Sequence, residues 1–314
     1  MGSDNHDLLL LIGGVLAVLI VASLAGATLS RRVRSESGRH TVANLNARIR
    51  AWWAMCALFA VALLSGGRLS FTFFGVAAFL ALREFLALAP TRPADHASLL
   101  GALFVLTPAQ FVLAGAGQLG LAAILIPVAA LFLLPARAVL AGDCERFLER
   151  TAVIQWGLMI CVYNISFAPA ILRLDVPGSP GAGAALLVFL VVVVQASDVL
   201  QYIWGTLLGR RRIAPRVSPN KTWEGFVGGT VSAVALGTAL WWATPFTPLQ
   251  AGALALLVAL LGFAGGLILS AVKRDRGVKD YGTLVRGHGG VLDRLDSLCF
   301  AAPAFFFIAR QLVA

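Results

Sequence analysis

The residues best suited to chemistry lie in one hydrophilic stretch near the C-terminus, residues 273–296. This stretch holds six Lys or Arg residues and four Asp residues, and long apolar runs lie on both sides of it. Carboxylate oxygens are the ligands that Mg²⁺ prefers, and cationic side chains neutralise phosphate oxygens. The composition therefore predicts a site for a Mg²⁺–polyphosphate.

The spacing of the aspartates supports this interpretation. Asp293 and Asp296 are three residues apart at the start of the last apolar run, so a helix would present them on one face. Capping of the helix N-terminus is the alternative, but it explains one carboxylate and not both of them together with Asp280 upstream. Four glycines within residues 282–290 would let the backbone approach a phosphate closely. His288 among them is a candidate proton carrier, a phosphate donor or a plain loop residue.

A second polar group precedes this stretch. Asp198 lies inside the seventh apolar run, about three turns from its inner end, where a charged side chain is costly and tends to be functional. A structural pairing with a cation or hydroxyl on a neighbouring helix is the alternative, and both readings are open at this point. The run is followed by the basic segment 209–225. At another helix end, Arg83 and Glu84 are predicted to form a local ion pair.

The composition of the whole chain shows where these residues must be positioned. Of the 314 residues 59% are hydrophobic and 13% are charged, whereas soluble domains are about 25% charged. So few charges could not cover the surface of a globule. The composition excludes a simple soluble enzyme, a disordered protein and a nucleic-acid-binding module. The four cysteines show no metal-binding spacing and are predicted to be buried thiols.

The apolar runs predict an all-α polytopic membrane bundle of about ten transmembrane helices, because a bilayer core takes about 20 apolar residues and helices satisfy their own backbone. The predicted spans are Leu8–Leu29, Ala51–Gly66, Leu69–Leu88, Ser98–Gly115, Leu119–Leu134, Ala152–Leu172, Ala184–Leu208, Phe226–Ala243, Ala251–Val272 and Leu298–Leu312.

The distribution of Lys and Arg orients these spans. With the N-terminus outside, the five inner loops 31–50, 83–97, 136–151, 209–224 and 273–296 hold 22 of the 25 basic residues. Such a bias marks the cytoplasmic side of a membrane protein. Both reactive stretches then face the same side. The Pro- and Gly-rich segment Val176–Gly183 is predicted to join an N-terminal half, residues 1–175, to a C-terminal half, residues 184–314.

Two motifs in the C-terminal half resemble the signature of the phosphatidate cytidylyltransferases, also called CDP-diacylglycerol synthases. The shorter motif is S-P-N-K-T-W-E-G at residues 218–225. The longer motif consists of Ser270, Lys273, Arg274, Lys279, Asp280, Gly282, His288, Gly289, Gly290, Asp293, Arg294 and Asp296. The resemblance covers about residues 190–300, and Asp198 falls where the family has an Asp in the preceding span.

The resemblance implies transfer of CMP from CTP to phosphatidic acid, with one or two Mg²⁺ ions, at the cytoplasmic side of a membrane, most simply a bacterial inner membrane. It also implies a homodimer. The implied metal ligands are Asp280, Asp293 and Asp296. The implied catalytic residues are Lys273, Arg274, Lys279, His288 and Arg294. The implied substrate-binding residues are Ser218, Lys221, Glu224, Ser270 and Asp198.

The chain departs from the family pattern at several positions. Gly266 and Leu269 stand where the family has an Asp and often a Glu, and that Asp is held to be a metal ligand. Ser197 and Gln201 replace Asn and Ala, and Arg286 replaces a common Pro. These departures indicate a divergent branch of the family. A changed lipid acceptor is one possible consequence of this divergence. Asp198 or Asp280 could substitute for the missing ligand, or a single metal could suffice.

Three other functions are compatible with the sequence. Asp198 and the basic loops could form an anion or proton path of a transporter, although no inverted repeat is visible. The same fold could serve a CTP-dependent kinase of a lipid alcohol. An inactive homologue is the third alternative, because of Gly266.

Overall fold

The computed structural model of the protein describes residues 3–32, 36–179, 181–284 and 289–313. Over these residues the chain forms a helical bundle with one small β-hairpin. The helices are α1 (Ser3–Arg32), α2 (Glu36–Leu64), α3 (Gly67–Leu86), α4 (Pro93–Gly115), α5 (Leu119–Leu140), α6 (Phe147–Arg173), α7 (Ala182–Leu208), α8 (Trp223–Ala239), α9 (Pro248–Asp275) and α10 (Leu292–Val313). The strands are β1 (Arg212–Ala214) and β2 (Ser218–Thr222).

These helices confirm the predicted all-α membrane bundle. In the described part of the chain, nine helices are long and apolar enough to cross a membrane. The remaining predicted span, Phe226–Ala243, corresponds to α8, which has 17 residues and is followed by a single 3₁₀ turn at Trp241–Ala243. The protein is therefore an integral membrane protein.

Two prolines inside the membrane helices are accompanied by wide turns. A π-type turn covers Ala102–Leu106 just before Pro108 in α4, and another covers Leu125–Ala130 around Pro127 in α5. A proline ring removes one backbone donor and crowds the carbonyl four residues earlier. Such local adjustments let neighbouring groups satisfy the freed backbone, so the helices continue.

The C-terminal helices pack in chain order. Helix α8 lies between α7 and α9, and α9 packs on α10. The centre of the bundle is apolar, with the Phe189 ring 6.0 Å from that of Phe305. Helices α1 and α2 lie at the periphery of the bundle. Only 11% of the residues in the most apolar stretch of each are buried, compared with 61% in α6. Most of their surface therefore faces the surrounding lipid.

Two of the predicted inner loops contain regular structure. Helix α2 begins at Glu36, so most of the predicted loop 31–50 is helical. The predicted loop 209–224 contains the hairpin, in which Arg212 pairs with Thr222 and Ala214 with Ser218. The Thr222 hydroxyl accepts a 3.1 Å hydrogen bond from the Gly225 amide and so caps α8. Apolar periodicity does not reveal this hairpin, because its residues are mostly polar.

The predicted joint Val176–Gly183 falls where α6 ends and α7 begins. Helices α3 and α6, from the N-terminal half, nevertheless pack against α10. The two halves therefore share one core, and their division into separate units stays a prediction.

Candidate active site

A cavity of about 580 Å³ lies between α2, α7, α10 and the segment joining α9 to α10. Six of the predicted site residues line it: Asp198, Lys279, Asp280, Asp293, Arg294 and Asp296. Asp198 and the hydrophilic stretch 273–296 therefore converge on one cavity, whereas the basic segment 209–225 does not line it. The cavity is also lined by residues that the sequence interpretation missed: Arg48, Trp52, Gln195, Val199, Tyr202 and Thr283.

Asp293 holds the segment between α9 and α10 in place. Its Oδ1 accepts a 2.7 Å hydrogen bond from Lys273 Nζ, and both side chains are buried. Its Oδ2 accepts hydrogen bonds from the backbone amides of Tyr281 at 2.8 Å and Gly290 at 2.9 Å. Gly289 has a φ of +84°, and a Cβ there would lie 2.8 Å from Asp293 Oδ2. The carboxylate thus gathers three donors and positions the segment.

Glu84 supports the same segment from the other half of the chain. It lies at the end of α3, is buried, and accepts hydrogen bonds from the amides of Val291 at 3.0 Å and Leu292 at 2.9 Å. These amides begin α10, and the first amides of a helix have no partner within the helix. A Cβ at Gly282 would lie 2.6 Å from Glu84 Oε1, so a glycine is needed for this close approach.

The predicted ion pair between Arg83 and Glu84 is therefore wrong. Within the described residues the ion pairs do not include it, and both Glu84 oxygens bind backbone amides of α10 instead. The sequence contains no signal for this contact, because the partners are 207 and 208 residues away.

Asp198 and Asp296 form a pair of neighbouring carboxylates within the membrane helices. The Ser297 amide donates a 2.8 Å hydrogen bond to Asp296 Oδ1, and the Ser297 hydroxyl donates to the same oxygen at 3.4 Å. The Lys221 ammonium from β2 interacts electrostatically with both carboxylates. Burial lowers the pKa of Lys221, and the two carboxylates oppose this shift. The Lys221 Nζ also lies 4.5 Å from the centre of the Phe263 ring on α9.

The other predicted residues that the structure describes do not line the cavity. Arg274 donates to the carbonyls of Val217 at 3.2 Å and Val278 at 3.1 Å, so it connects the hairpin to the end of α9. Glu224 accepts from the amides of Arg210 at 3.0 Å and Arg211 at 3.1 Å. These contacts hold the hairpin against the bundle.

Ser218 and Ser270 are also outside the lining. Ser218 lies in β2, and the Ser270 hydroxyl donates to the Gly266 carbonyl of its own helix at 2.6 Å. His288 and Arg286 lie outside the residues that the structure describes, so the role predicted for His288 stays a prediction.

Two departures from the family pattern compensate each other. The Gln201 side-chain amide donates a 2.8 Å hydrogen bond to the Ser197 hydroxyl, and both residues are buried in α7. A Cβ at Gly229 would lie 2.5 Å from the Gln201 backbone nitrogen, so α8 approaches α7 closely here. A buried polar side chain is costly unless it is paired. The two replacements therefore form one satisfied pair.

The carboxylates of the cavity have the chemistry that a Mg²⁺ ion requires, but they do not form a complete cage. Among the residues that the structure describes, no three His, Cys, Asp or Glu side chains are grouped to hold a metal ion. Mg²⁺ in nucleotide sites is usually bound by one or two carboxylates together with phosphates and water. Asp198 and Asp296, which interact with each other, fit that arrangement, whereas both oxygens of Asp293 already have protein partners and the metal-binding role predicted for Asp280 stays a prediction.

Comparison with known proteins agrees with the motifs. A model of the cytidylyltransferase family matches residues 46–312. The chain belongs to this family. The cytidylyltransferase-family protein is 38% identical over 299 residues to the uncharacterized protein YnbB of Escherichia coli K12, an alignment covering 94% of this chain and 95% of that relative.

Relatives named phosphatidate cytidylyltransferase match a shorter part of the chain. The Brucella abortus enzyme is 42% identical over 137 residues, which are 41% of this chain and 48% of the enzyme. The Bacillus subtilis enzyme is 38% identical over 128 residues, 40% of this chain and 48% of the enzyme. The chain thus spans about half the length of these enzymes. The family match and these relatives confirm the predicted resemblance to the phosphatidate cytidylyltransferases, and the similarity to YnbB is consistent with a divergent branch.

Proposed function

We propose that the protein transfers CMP from CTP to phosphatidate, giving CDP-diacylglycerol and pyrophosphate for phospholipid synthesis. The observation that carries this proposal is the convergence in one cavity of three carboxylates, Asp198, Asp280 and Asp296, with the cations Lys279 and Arg294. Two anionic substrates can meet only where cations neutralise their phosphates and carboxylates can hold a divalent ion. The relatives named phosphatidate cytidylyltransferase support the same reaction.

The position of the cavity supports a lipid acceptor. Val199 and Tyr202 line it on α7 and are 47% and 67% exposed. These exposed side chains belong to a membrane helix, so one side of the cavity adjoins the surface that contacts lipid. The lining therefore changes from charged to apolar, as a substrate with a phosphate head and acyl chains requires.

The proposed reaction is an in-line displacement. An oxygen of the phosphatidate phosphate forms a bond to the α-phosphorus of CTP. The bond from the α-phosphorus to the bridging oxygen of the β-phosphate breaks, and pyrophosphate leaves with that electron pair. A fully ionised phosphate nucleophile needs no general base, so the protein has to bind, orient and neutralise.

The residues divide into binding and positioning groups. Lys279 and Arg294 would bind phosphate oxygens, and Asp198 and Asp296 would hold Mg²⁺ together with phosphate and water oxygens, with Asp280 as a further predicted ligand. When bound, Mg²⁺ supplies charge neutralisation on the phosphates and stabilises the leaving group. Positioning residues, Asp293 with Lys273 and Glu84, keep the segment between α9 and α10 at the cavity. We propose that the cavity faces the cytoplasm of a bacterial inner membrane, because 22 of 25 basic residues lie in the predicted inner loops. The homodimer stays a prediction.

The test uses the purified full-length protein in detergent with Mg²⁺, phosphatidic acid and CTP labelled at the α-phosphorus. We expect label in the lipid, and we expect chelation of Mg²⁺ to abolish it reversibly. Asp296→Asn should reduce kcat about 100-fold or more, because it removes a ligand of the Mg²⁺ ion that neutralises the reacting phosphates. Asp275→Asn is the matched control, since Asp275 is exposed and pairs with Arg276.

Other outcomes distinguish the alternatives. Transfer of label from the γ-phosphorus to a lipid alcohol would identify a kinase. If neither label reaches lipid and Asp296→Asn behaves like the wild type, the proposed reaction is refuted in favour of transport or an inactive homologue.

A further inference from the structure

The cavity has a wall that neither motif explains. It is formed by α2, which contributes Arg48 and Trp52. These residues are four positions apart, so they lie on the same face of the helix, about 6 Å apart along its axis. In the orientation predicted from the basic residues, α2 runs from the inner side outwards. Arg48 is then nearer the cytoplasm and Trp52 is one turn deeper in the membrane.

This order of side chains matches a phospholipid at the membrane surface. A guanidinium binds phosphate oxygens through paired N–H donors. A tryptophan ring is suited to the boundary between headgroups and acyl chains. Val199 and Tyr202 of α7 continue the lining with exposed apolar surface. Most of the surface of α2 itself is unburied, so lipid has access to this wall.

Other polar residues of the cavity have a different origin. Lys279, Asp280 and Thr283 come from the segment between α9 and α10, and Arg294 comes from the start of α10. These elements lie at the ends of helices, where a water-soluble nucleotide has access. The cavity therefore has two polar sides, of which only the α2 side adjoins exposed membrane-helix surface.

We infer that Arg48 and Trp52 form the lipid subsite, in which Arg48 binds the phosphomonoester of the acceptor lipid and Trp52 contacts its glycerol ester region. This inference rests on the proposed function for its catalytic consequence, but lipid binding itself does not require turnover. The subsite selects a membrane lipid that carries a terminal phosphate over lipids with a neutral or zwitterionic headgroup.

The first experiment measures binding without CTP. Phosphatidic acid with brominated acyl chains, in detergent micelles, should quench the fluorescence of Trp52, isolated as the difference between the wild type and Trp52→Phe. Brominated phosphatidylcholine should quench it less. Arg48→Ala should reduce quenching by phosphatidic acid to the phosphatidylcholine level. Because recognition includes the acyl chains, an excess of glycerol 3-phosphate should not displace phosphatidic acid and should leave the quenching of the wild type unchanged.

The matched control is Arg50→Ala. Arg50 is on the same helix and equally carries an exposed charge, but it lines a separate cavity of about 330 Å³ with Ser30 and Arg39. Quenching in Arg50→Ala should equal that of the wild type. Equal loss in both variants would reduce the effect to surface charge and overturn the inference, as would equal quenching by the two lipids.

The second experiment separates the two substrates by steady-state kinetics. Arg48→Ala should raise the KM for phosphatidic acid about tenfold, the loss expected for one charge-assisted hydrogen bond, and leave the KM for CTP within about twofold. Arg48→Lys should recover part of the loss. A rise in the KM for CTP instead would place Arg48 in the nucleotide subsite and overturn the inference. Absence of turnover in the wild type would refute the proposed function, while the quenching result would still decide the lipid subsite.

Discussion

The absence of a side chain at Gly266 leaves room for the ammonium group of Lys221. A Cβ at residue 266 would lie 2.9 Å from Lys221 Nζ and 3.8 Å from Asp296 Oδ2. The glycine therefore leaves room for an ammonium group beside the carboxylates of Asp198 and Asp296. A carboxylate expected from the family pattern is absent here, and a cation of the protein lies next to its place. The divergence concerns the charge balance of the site more than its shape.

Substitution of Gly266 tests this charge balance. Gly266→Asp should strengthen Mg²⁺ binding about tenfold, because it adds a carboxylate next to Asp296, and the flexible end of Lys221 can move aside to make room for it. Isothermal titration with Mg²⁺ in the absence of nucleotide measures the effect.

Gly266→Asn is the control for that substitution, since it has the same shape without the charge. We expect its Mg²⁺ affinity to equal that of the wild type. If the two variants bind Mg²⁺ equally, the missing ligand is not limiting, and the existing carboxylates already provide the site.

At the scale of elements, the site depends on a joint between α3 and α10. Glu84 caps the N-terminus of α10, where the helix dipole also favours a negative charge. The same carboxylate approaches Gly282, so α3 contacts the segment that lines the cavity at two places, near Gly282 and at Val291. The N-terminal helices are thus a support for the reactive residues of the C-terminal helices.

Glu84→Gln should break this joint without changing the size of the side chain. The amide group keeps one acceptor oxygen, so the amide of either Val291 or Leu292 loses its partner. We expect the free energy of unfolding to fall by about 1–3 kcal/mol, and kcat to fall with it. Unfolding by SDS in mixed micelles measures the first quantity.

Glu149→Gln provides the comparison for Glu84→Gln. Glu149 forms an exposed ion pair with Arg146, three residues away on the chain. Exposed pairs contribute about 0–1 kcal/mol, so this variant should be nearly as stable as the wild type. Equal stabilities of the two variants would contradict the capping role of Glu84.

At the scale of the whole molecule, contacts between loops show which segments lie at the same end of the helical bundle as the cavity. Arg92, between α3 and α4, forms a 2.8 Å ion pair with Asp143, between α5 and α6. The end of α3 also meets the start of α10 through Glu84. The segment around Asp143 therefore lies on the same side of the membrane as the cavity.

Cys144 reports which side this is. It is exposed, whereas Cys161 and Cys299 are buried and Cys56 lies within α2. A membrane-impermeant maleimide should label the protein in inverted membrane vesicles and leave it unlabelled in intact cells. Cys144→Ser should remove the labelling. Labelling from outside the cell would place the cavity on the opposite side and contradict the proposed cytoplasmic site.

The sequence by itself determined the membrane bundle, the position of nearly every helix and the set of charged residues to examine. The physical reason is that apolar runs of bilayer length have few alternatives to helices, and charges within or beside them are too costly to be accidental. Six of the predicted residues, including Asp198 and Asp296, line one cavity in consequence.

Only the tertiary structure decided the role of each side chain. Whether a carboxylate such as Asp293 holds a metal or the backbone depends on which donors surround it, and Lys273 and two amides surround it here. Packing brings Arg48 from a distant helix to the cavity, and it brings Glu84 from another to the segment that lines the cavity. Contacts of this kind join residues far apart in the chain, and local residue patterns carry no record of them.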